Sequence, residues 1–168
     1  MIEVRPASAN DIDAAARVHH DSAVAEYTPI FEPYEHLFDD EVPLIDELRA
    51  QWAALIDDST ADVYVAVDGP AVIGAAAARV SEDVPGGWLL AKLYARPDRQ
   101  GEGVGGALLD RVVADARSAG RSEISLWALE PNGRARRFYE ARGWTLVPGR
   151  TLGNPPTPLV DVLYRLTL

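Results

Sequence analysis

Seven segments of the chain carry apolar residues at every second position or in a short continuous run, and four others carry them at every third or fourth position. The first spacing is typical of strands and the second of helices. The predicted strands cover residues 2–5, 63–67, 72–80, 88–95, 123–129, 144–147 and 159–166. The predicted helices cover 10–20 (capped by Asn10 or Ser8), 44–56, 104–119 and 132–141. This order predicts one α/β (α+β) domain over residues 1–168, with a mixed sheet of about seven strands and about four helices.

Two stretches fit neither spacing, and we expect irregular structure in both. Residues 148–158 are rich in proline. Residues 21–43 combine aromatic side chains and prolines with seven acidic residues. That mixture is unusual for a plain linker, and it suggests a surface that encloses a ligand.

A glycine-rich turn joins the strand at 88–95 to the helix that follows it. Glycine lets the backbone turn tightly and leaves its N–H groups uncovered by side chains. At the start of a helix those groups have no partner within the helix, and the helix dipole favours an anion there. The turn therefore predicts a phosphate-binding site, formed by Gln100, Gly101, Glu102, Gly103, Val104, Gly105 and Gly106.

A glycine-rich turn of this kind could also be a dinucleotide-binding loop, a nucleotide-binding P-loop or a simple connector. Residues 101–106 match the G-x-G-x-x-G pattern of dinucleotide-binding proteins. In dinucleotide-binding proteins this pattern follows the first strand, and an acidic residue stands at the end of the next strand. Here the turn lies past the middle of the chain, and Glu123 begins the next strand. A nucleotide-binding P-loop is excluded because no G-x-x-x-x-G-K-[ST] occurs. A simple connector remains an alternative on the turn alone.

Charge is distributed unevenly along the chain. The net charge is −10, but residues 91–150 hold more basic than acidic side chains and the remainder is strongly acidic. A basic region around a phosphate site fits an anionic cofactor. The acidic remainder argues against nucleic acid and is compatible with a cationic substrate, although an acidic surface also serves solubility.

Composition excludes several kinds of site. The chain has no cysteine, which rules out disulfides, thiolate metal ligands and a cysteine nucleophile. Its three histidines, His19, His20 and His36, do not suggest a zinc site, so we expect no metal. No signal-like segment and no long apolar run are present, and we expect a cytoplasmic protein that does not bind membranes.

Three separated blocks of sequence resemble the GNAT N-acetyltransferase superfamily. The first is Leu93 to Pro97, which ends the strand, and the second is Gln-x-x-Gly-x-Gly at Gln100. The third contains Asn132, Ala135 and the run from Phe138 to Trp144. The resemblance is close over residues 88–147, and it implies a GNAT-like fold with acetyl-CoA as co-substrate. It also implies that 88–147 is the acetyl-CoA-binding core and 21–43 the acceptor side.

The resemblance implies particular contacts with acetyl-CoA. The amides of residues 100–106 would bind its pyrophosphate, and the backbone of the strand end would pair with the pantetheine arm. The cofactor-binding residues so implied are Leu93, Tyr94, Ala95, Gln100, Gly101, Glu102, Gly103, Val104, Gly105, Gly106, Asn132 and Ala135. Arginines at 96, 99, 134, 136 and 137 are candidates for the 3′-phosphate, and the sequence does not choose among them.

Tyr139 stands where members of the family have a tyrosine that protonates the departing thiolate, although a tyrosine anchored in the core would show the same pattern. The family's usual basic glutamate, eleven residues before Gln100, is replaced by Leu89. The alternative carboxylates are Glu26, Glu32, Glu35, Asp39, Asp40, Glu82 and Asp83. The sequence assigns no base.

The expected activity is transfer of an acetyl group from acetyl-CoA to an amine of a small molecule or peptide, by direct attack in a ternary complex. The alternative is a CoA-binding sensor or structural module without catalysis, which the leucine at position 89 motivates. O-acetylation and a longer acyl group stay open. A homodimer is compatible with the sequence, which does not fix the oligomeric state.

Overall fold

The computed structural model of the protein describes residues 1–37 and 45–168. The start of the second predicted helix at Leu44 and the carboxylates Asp39 and Asp40 therefore lie outside the described residues. The strands are β1 (Ile2–Pro6), β2 (Asp62–Asp68), β3 (Ala71–Val80), β4 (Trp88–Ala95), β5 (Glu123–Leu129), β6 (Thr145–Gly153) and β7 (Val160–Thr167). The helices are α1 (Ile12–Phe31), α2 (Ile45–Asp57), α3 (Val104–Ser118) and α4 (Gly133–Glu140).

The seven strands form one mixed sheet in the order β1-β2-β3-β4-β5-β7-β6. All neighbouring strands are antiparallel except β4 and β5, which are parallel and are joined by the crossover through α3. This arrangement confirms the predicted fold class. Since parallel neighbours need a helical crossover, the β4–α3–β5 unit places the glycine turn at one edge of that parallel pair.

Helices cover both faces of the sheet. Because side chains alternate across a strand, Ala75 and Ala77 of β3 pack with α1 and α2, whereas Ala76 and Ala78 pack with α3. The small residues of β3 allow a close approach. A Cβ at Gly74 would lie 2.6 Å from Val104 Cγ1, so α3 rests almost directly on the strand backbone. That contact fixes the start of α3, where the glycine turn ends.

Helix α1 is longer than the sequence pattern predicts, and this corrects the expected boundary. The sequence predicted a helix ending near His20 and irregular structure over 21–43, but α1 continues to Phe31 and a 3₁₀ segment follows over Glu32–Leu37. Pro29 suggested a break, yet α1 continues through it, with the loss of the hydrogen bond that an amide at this position would donate to the carbonyl of Ala25. Ser22 is buried, and Glu26 lies one turn further along the same face of α1. The added turns of the helix therefore place side chains in the interior of the protein.

Strand β6 also differs from its prediction, which had residues 148–158 as a loop. The strand runs through Pro148 to Gly153, with a register shift between Leu146 and Thr151. The strand lies at the edge of the sheet, where a proline that cannot donate to a ladder is accommodated. The remaining predicted elements agree with the structure to within about two residues at each end.

The sheet opens between β4 and β5. Registered pairing of these two strands is confined to Leu89 opposite Ser125. On its other side β4 pairs with β3 along its whole length, with a bulge that leaves Ala91 between the paired positions Leu90 and Lys92. The second half of β4 is therefore half-buried, and its edge toward β5 is free.

The carboxylate of Asp11 ties the start of α1 to β1. It accepts hydrogen bonds from the guanidinium of Arg5 at 2.8 and 2.9 Å and from the backbone N–H of Ser8 at 2.8 Å. Asp11 is 5% exposed. The hydrogen bonds from Arg5, and after them those from Ser8, together lower the pKa of Asp11 to about 2, although burial opposes this effect.

Replacing Asp11 by Asn should destabilise the protein by about 1–2 kcal/mol at neutral pH. Because the pKa of Asp11 is lower in the folded chain, its contribution is complete above about pH 4 and is lost as the pH falls toward 2. Urea unfolding at pH 7 and pH 3 measures this, and the difference in stability between wild type and Asp11→Asn should be smaller at the lower pH. Asp57→Asn, an exposed carboxylate at the end of α2, is the control. Equal stability of Asp11→Asn and wild type at pH 7 would refute the assignment.

Within the described ranges no helix is long and apolar enough to cross a membrane.

Candidate active site

The glycine turn leads straight into the first turn of α3. Gly101 and Gly103 have φ values of +85° and +88°, which favour glycine strongly, and Gly103 is the residue that caps α3. The carbonyl of Gly103 accepts the first helical hydrogen bond, from Ala107 N at 2.9 Å. The amides of the residues between them begin the helix and have no partner within it. The turn therefore presents the unpartnered backbone amides that the predicted anion site requires.

A cavity of about 360 Å³ lies over this turn. Its walls come from α1, the end of β4, the glycine turn, the start of α3, and α4 with the residue that caps it. The residues that line it are Ser22, Glu26, Tyr27, Leu93, Ala95, Arg99, Gln100, Gly101, Gly103, Val104, Gly105, Gly106, Asn132, Arg134, Ala135, Phe138, Tyr139 and Arg142.

The cavity passes through the gap between β4 and β5. Helix α1 packs on one face of the sheet while α3 and α4 pack on the other, yet residues from all three helices line the same cavity. Only the splayed part of the sheet allows this. The charges of Tyr27, Tyr139 and Glu26 also act together on Tyr94, where burial is the main cause of a pKa well above the usual value. Groups on the two faces of the sheet thus interact at this point.

Positive charge lies at the end of the cavity next to the glycine turn. Arg134 donates to the side-chain carbonyl of Gln100 at 2.6 Å, which links α4 to the turn. Arg142 stacks on the ring of Phe138, with its guanidinium carbon 4.0 Å from the ring centre. Arg99 is neutralised by ion pairs with Asp68 at 2.9 Å and Glu102 at 2.6 Å. The net positive charge at this end therefore comes from Arg134 and Arg142.

The cavity also holds a carboxylate and two phenols. Glu26 accepts a hydrogen bond from the side-chain amide of Asn132 at 3.0 Å, and Tyr27 and Tyr139 line the cavity close enough to Glu26 for its charge to act on them. Burial raises the pKa of Tyr27 to about 12, and the charges of Glu26 and Asp161 add to the effect. Burial likewise raises the pKa of Tyr139 above its ordinary value, helped by the charges of Tyr27 and Glu26. Both phenols are therefore protonated at neutral pH.

Tyr139 is held by its ring. The ring packs edge-on against Trp144, with the centroids 5.8 Å apart, and against Phe138 at 5.2 Å. No hydrogen bond ties its hydroxyl to another of the described residues. A hydroxyl held by packing alone is available to donate to a ligand in the cavity.

Most of the residues predicted from the sequence come together in this cavity, and Tyr94 and Glu102 are the exceptions. The ring of Tyr94 points to the α1 and α2 face, where it stacks on His19 at a centroid distance of 3.9 Å. Glu102 is exposed and bonded to Arg99, so its carboxylate faces away from the cavity. For both residues only the backbone remains available for the predicted contacts.

The structure separates the remaining candidates. Of the five arginines that the sequence offered, Arg99 and Arg134 line the cavity, while Arg96 is paired with Asp98 at 2.6 Å. Of the described carboxylate candidates only Glu26 reaches it; Glu32, Glu35, Glu82 and Asp83 are exposed outside.

Sequence reasoning missed the cavity-lining roles of Ser22, Phe138 and Arg142. Phe138 lies inside the third block of the resemblance, so the sequence could have indicated its role in the site. Ser22 could have been found only by extending α1, since Ser22 and Glu26 share a helix face at the spacing i, i+4. Arg142 lies in the same run, but nothing in the sequence indicated its role, because that role depends on stacking against Phe138.

Lys92 of β4, the one lysine of the chain, lies outside this cavity. Its Nζ donates to the Gln51 side-chain carbonyl at 2.8 Å and lies 5.7 Å from the centre of the Trp52 ring. Burial, with the charge of Arg79, lowers the pKa of Lys92 to about 8. Nearby, burial lowers the pKa of His19 to about 3, so this histidine is uncharged at neutral pH. Neither His19 nor the exposed His36 lines the cavity, and no group of metal ligands forms within residues 1–37 and 45–168.

Comparisons with known proteins agree with this geometry. The model of the family described as "Acetyltransferase (GNAT) family" matches residues 21–144. A protein of Mycobacterium tuberculosis named as a probable N-acetyltransferase is 28% identical over 96% of this chain and 89% of its own length.

Two solved structures share the fold. One is the PaiA N-acetyltransferase of Thermoplasma acidophilum in complex with coenzyme A, with a TM-score of 0.70, 18% identity, and coverage of 100% of this chain and 99% of that one. The other is a ribosomal-protein-alanine N-acetyltransferase of Brucella melitensis, with a TM-score of 0.75, 18% identity, and coverage of 99% of each chain.

Proposed function

Because the chain belongs to the GNAT family of acetyltransferases, we propose that it transfers an acetyl group from acetyl-CoA to an amine of a small molecule or peptide. This proposal rests on the two kinds of group that line one cavity. Backbone amides of the glycine turn lie with two arginines, and a carboxylate lies with two phenols. An anionic cofactor and a cationic acceptor would meet in this cavity.

The glycine end is proposed to hold the cofactor. The amides of residues 100–106 would bind the pyrophosphate, and Arg134 and Arg142 would add positive charge around it. The free edge of β4 at Leu93, Tyr94 and Ala95 would pair with the pantetheine arm as an added strand does. Residues 88–147 then form the acetyl-CoA-binding core. The relative from Thermoplasma acidophilum, solved with coenzyme A, has the same fold.

Tyr139 is proposed to protonate the thiolate as the acceptor nitrogen displaces it. Its raised pKa keeps the proton on the phenol until the thiolate appears. Transfer would occur directly in a ternary complex. The chain has no cysteine to carry an acyl group, and the described part of the cavity holds no serine–histidine pair.

The acceptor is proposed to enter from the side of α1, within the segment 21–43. Tyr27 and Glu26 already belong to the cavity, and the Brucella melitensis relative is named for an acceptor with an amine at an alanine residue. A small-molecule amine and a peptide amine both fit this chemistry.

A second candidate function is CoA binding without catalysis. Leu89, buried against Val84 and Leu163, cannot act as a base, and this is the observation in its favour. Such a module would bind CoA and acetyl-CoA as well as the enzyme does but release no CoA when amines are added.

Ligand-dependent thermal shift tests the first step. We expect acetyl-CoA and CoA at 100 times their Kd to add about 2.7 kcal/mol to the free energy of unfolding, which is about 5–10 °C in Tm for a chain of this size. NADH should produce no shift. A shift with NADH alone, or none with either CoA ligand, would overturn the assignment.

Turnover tests the second step. Release of the CoA thiol is followed with spermidine, benzylamine and an alanine-initiated peptide as acceptors. Release that depends on the amine supports the enzyme. Tight acetyl-CoA binding without release for any of them supports the non-catalytic module.

A further inference from the structure

We infer that Glu26 of α1, held in place by Asn132, binds the ammonium group of the acceptor and takes its proton. This inference rests on the proposed function, because it names the group that prepares the acceptor at the same site. It also replaces the base that the sequence left unassigned. The carboxylate is supplied by a helix on the opposite face of the sheet from α3, not by β4.

Glu26 lies in the cavity close to the tyrosine proposed as the acid. It contributes the one carboxylate among the described residues that line the cavity. Its charge acts on Tyr139, which lines the same cavity. An ammonium group attracted by this carboxylate would therefore arrive next to Tyr139, on the side where the thiolate must be protonated.

The carboxylate of Glu26 is held by Asn132. Asn132 is 5% exposed and caps α4, where its side-chain carbonyl accepts from Ala135 N at 3.1 Å. That bond fixes which end of the amide faces Glu26, so the amide nitrogen donates to Glu26 Oε1 at 3.0 Å. This single neutral contact leaves the second carboxylate oxygen without an ion-pair partner among the described residues. Asn132 is thus a positioning residue for Glu26.

Glu26 lies among phenols. The titratable groups that face Glu26 are Tyr27 on its own helix, Tyr139 on α4 and Tyr94 on β4. All three are phenols that are neutral at pH 7, and each has its pKa raised in part by the charge of Glu26. No arginine or lysine of the described chain pairs with Glu26, so its charge is available to a cation from outside.

The chemical step balances with the groups named. Glu26 takes one proton from the ammonium group, and the freed nitrogen lone pair attacks the thioester carbonyl. The C–N bond forms and the C–S bond breaks, with the thiolate receiving the proton of Tyr139. The nitrogen then loses its second proton to water, while Tyr139 is reprotonated and Glu26 is deprotonated by solvent. One proton is released overall.

Glu26→Gln tests this role, with Glu47→Gln, an exposed carboxylate on α2, as the matched control. For Glu26→Gln we expect kcat/KM for spermidine and benzylamine to fall at least 100-fold at pH 7, with the Kd for acetyl-CoA changed less than 3-fold. The deficit should shrink as the pH approaches that at which the free amine predominates. With aniline, which is unprotonated at pH 7, the two enzymes should differ less than 3-fold.

Asn132→Asp separates positioning from capping. Aspartate caps a helix as well as asparagine does, so α4 should keep its stability. The variant loses the donor to Glu26 and places a second carboxylate beside it, which raises the pKa of the pair. We expect the pH profile of kcat/KM to shift upward, whereas a purely structural role would lower the rate equally at every pH.

Calorimetry gives a readout that does not depend on turnover. Spermidine should bind the CoA-saturated protein at least 10-fold more weakly in Glu26→Gln than in wild type or Glu47→Gln. Equal spermidine affinity, or equal kcat/KM at pH 7, would overturn the role of Glu26. Failure of the proposed function is seen in the wild type alone, as absence of acetyl-CoA binding or of amine-dependent CoA release, so the two failures are distinguished.

Discussion

Gly105→Val should weaken acetyl-CoA binding by at least 100-fold while leaving Tm within about 2 °C of the wild-type value. Gly105 lies in the first turn of α3 with ordinary helical backbone, so the backbone itself does not require glycine there. A Cβ at this position would lie 3.6 Å from Phe138 Cζ, which is a normal contact. The larger side chain therefore fits the folded protein but covers the amides that are proposed to bind the pyrophosphate. A 100-fold loss corresponds to about 2.7 kcal/mol of binding free energy.

The position is chosen to separate binding from folding. At Gly103, whose φ is +88°, any side chain would strain the turn and confuse the two effects. Gly153→Val is the control, because nothing lies within 4 Å of its added Cβ and the residue is outside the cavity. Isothermal titration with acetyl-CoA and a thermal scan are the measurements. Wild-type affinity in a folded Gly105→Val protein would mean that the cofactor binds elsewhere.

Tyr139→Phe should lower kcat by about 100-fold or more, with little change in the Kd for acetyl-CoA. The substitution removes only the hydroxyl, which makes no hydrogen bond with the described residues, so Tm should stay unchanged. Burial first, and then the charges of Tyr27 and Glu26, raise the pKa of Tyr139. The wild-type rate should therefore show no loss from deprotonation of this phenol between pH 7 and about 10. Stopped-flow measurement of thiol release over this range is the test.

Tyr27→Phe is the informative comparison, because Tyr27 is the other phenol in the cavity and its pKa is raised to about 12. If Tyr27→Phe lost kcat and Tyr139→Phe kept it, the acid would come from α1 and the assignment of Tyr139 would be wrong. Similar losses in both variants would point to a shared proton path, which a double variant would reveal as a non-additive effect.

The cofactor end of the cavity could be predicted from the sequence because its determinants are local. A strand, a glycine turn and a helix start are consecutive in the chain, and backbone chemistry alone makes their junction an anion site. The order of elements also fixed the β4–α3–β5 crossover, and with it the pair of parallel strands between which the cavity opens.

The acceptor end could not be predicted, for a physical reason. Glu26 is held by Asn132, a residue 106 positions away, and the two meet only because the sheet opens between β4 and β5. The prolines of 21–43 also argued against a helix in this segment, although α1 includes Glu26. Local propensity favoured an irregular segment, whereas packing of Ser22 and its neighbours against the opening stabilises α1 as far as Phe31.

The rarity of lysine has a practical consequence. Lys92 supplies the only ε-amine of the chain, and the other basic side chains of fixed charge are arginines, which do not accept acetyl groups at neutral pH. An immunoblot for acetyl-lysine can therefore detect the enzyme itself at one position only. Such an antibody would not recognise the Lys92→Arg variant, so a band that appears only when an extract is treated with this variant would belong to an acceptor rather than to the enzyme.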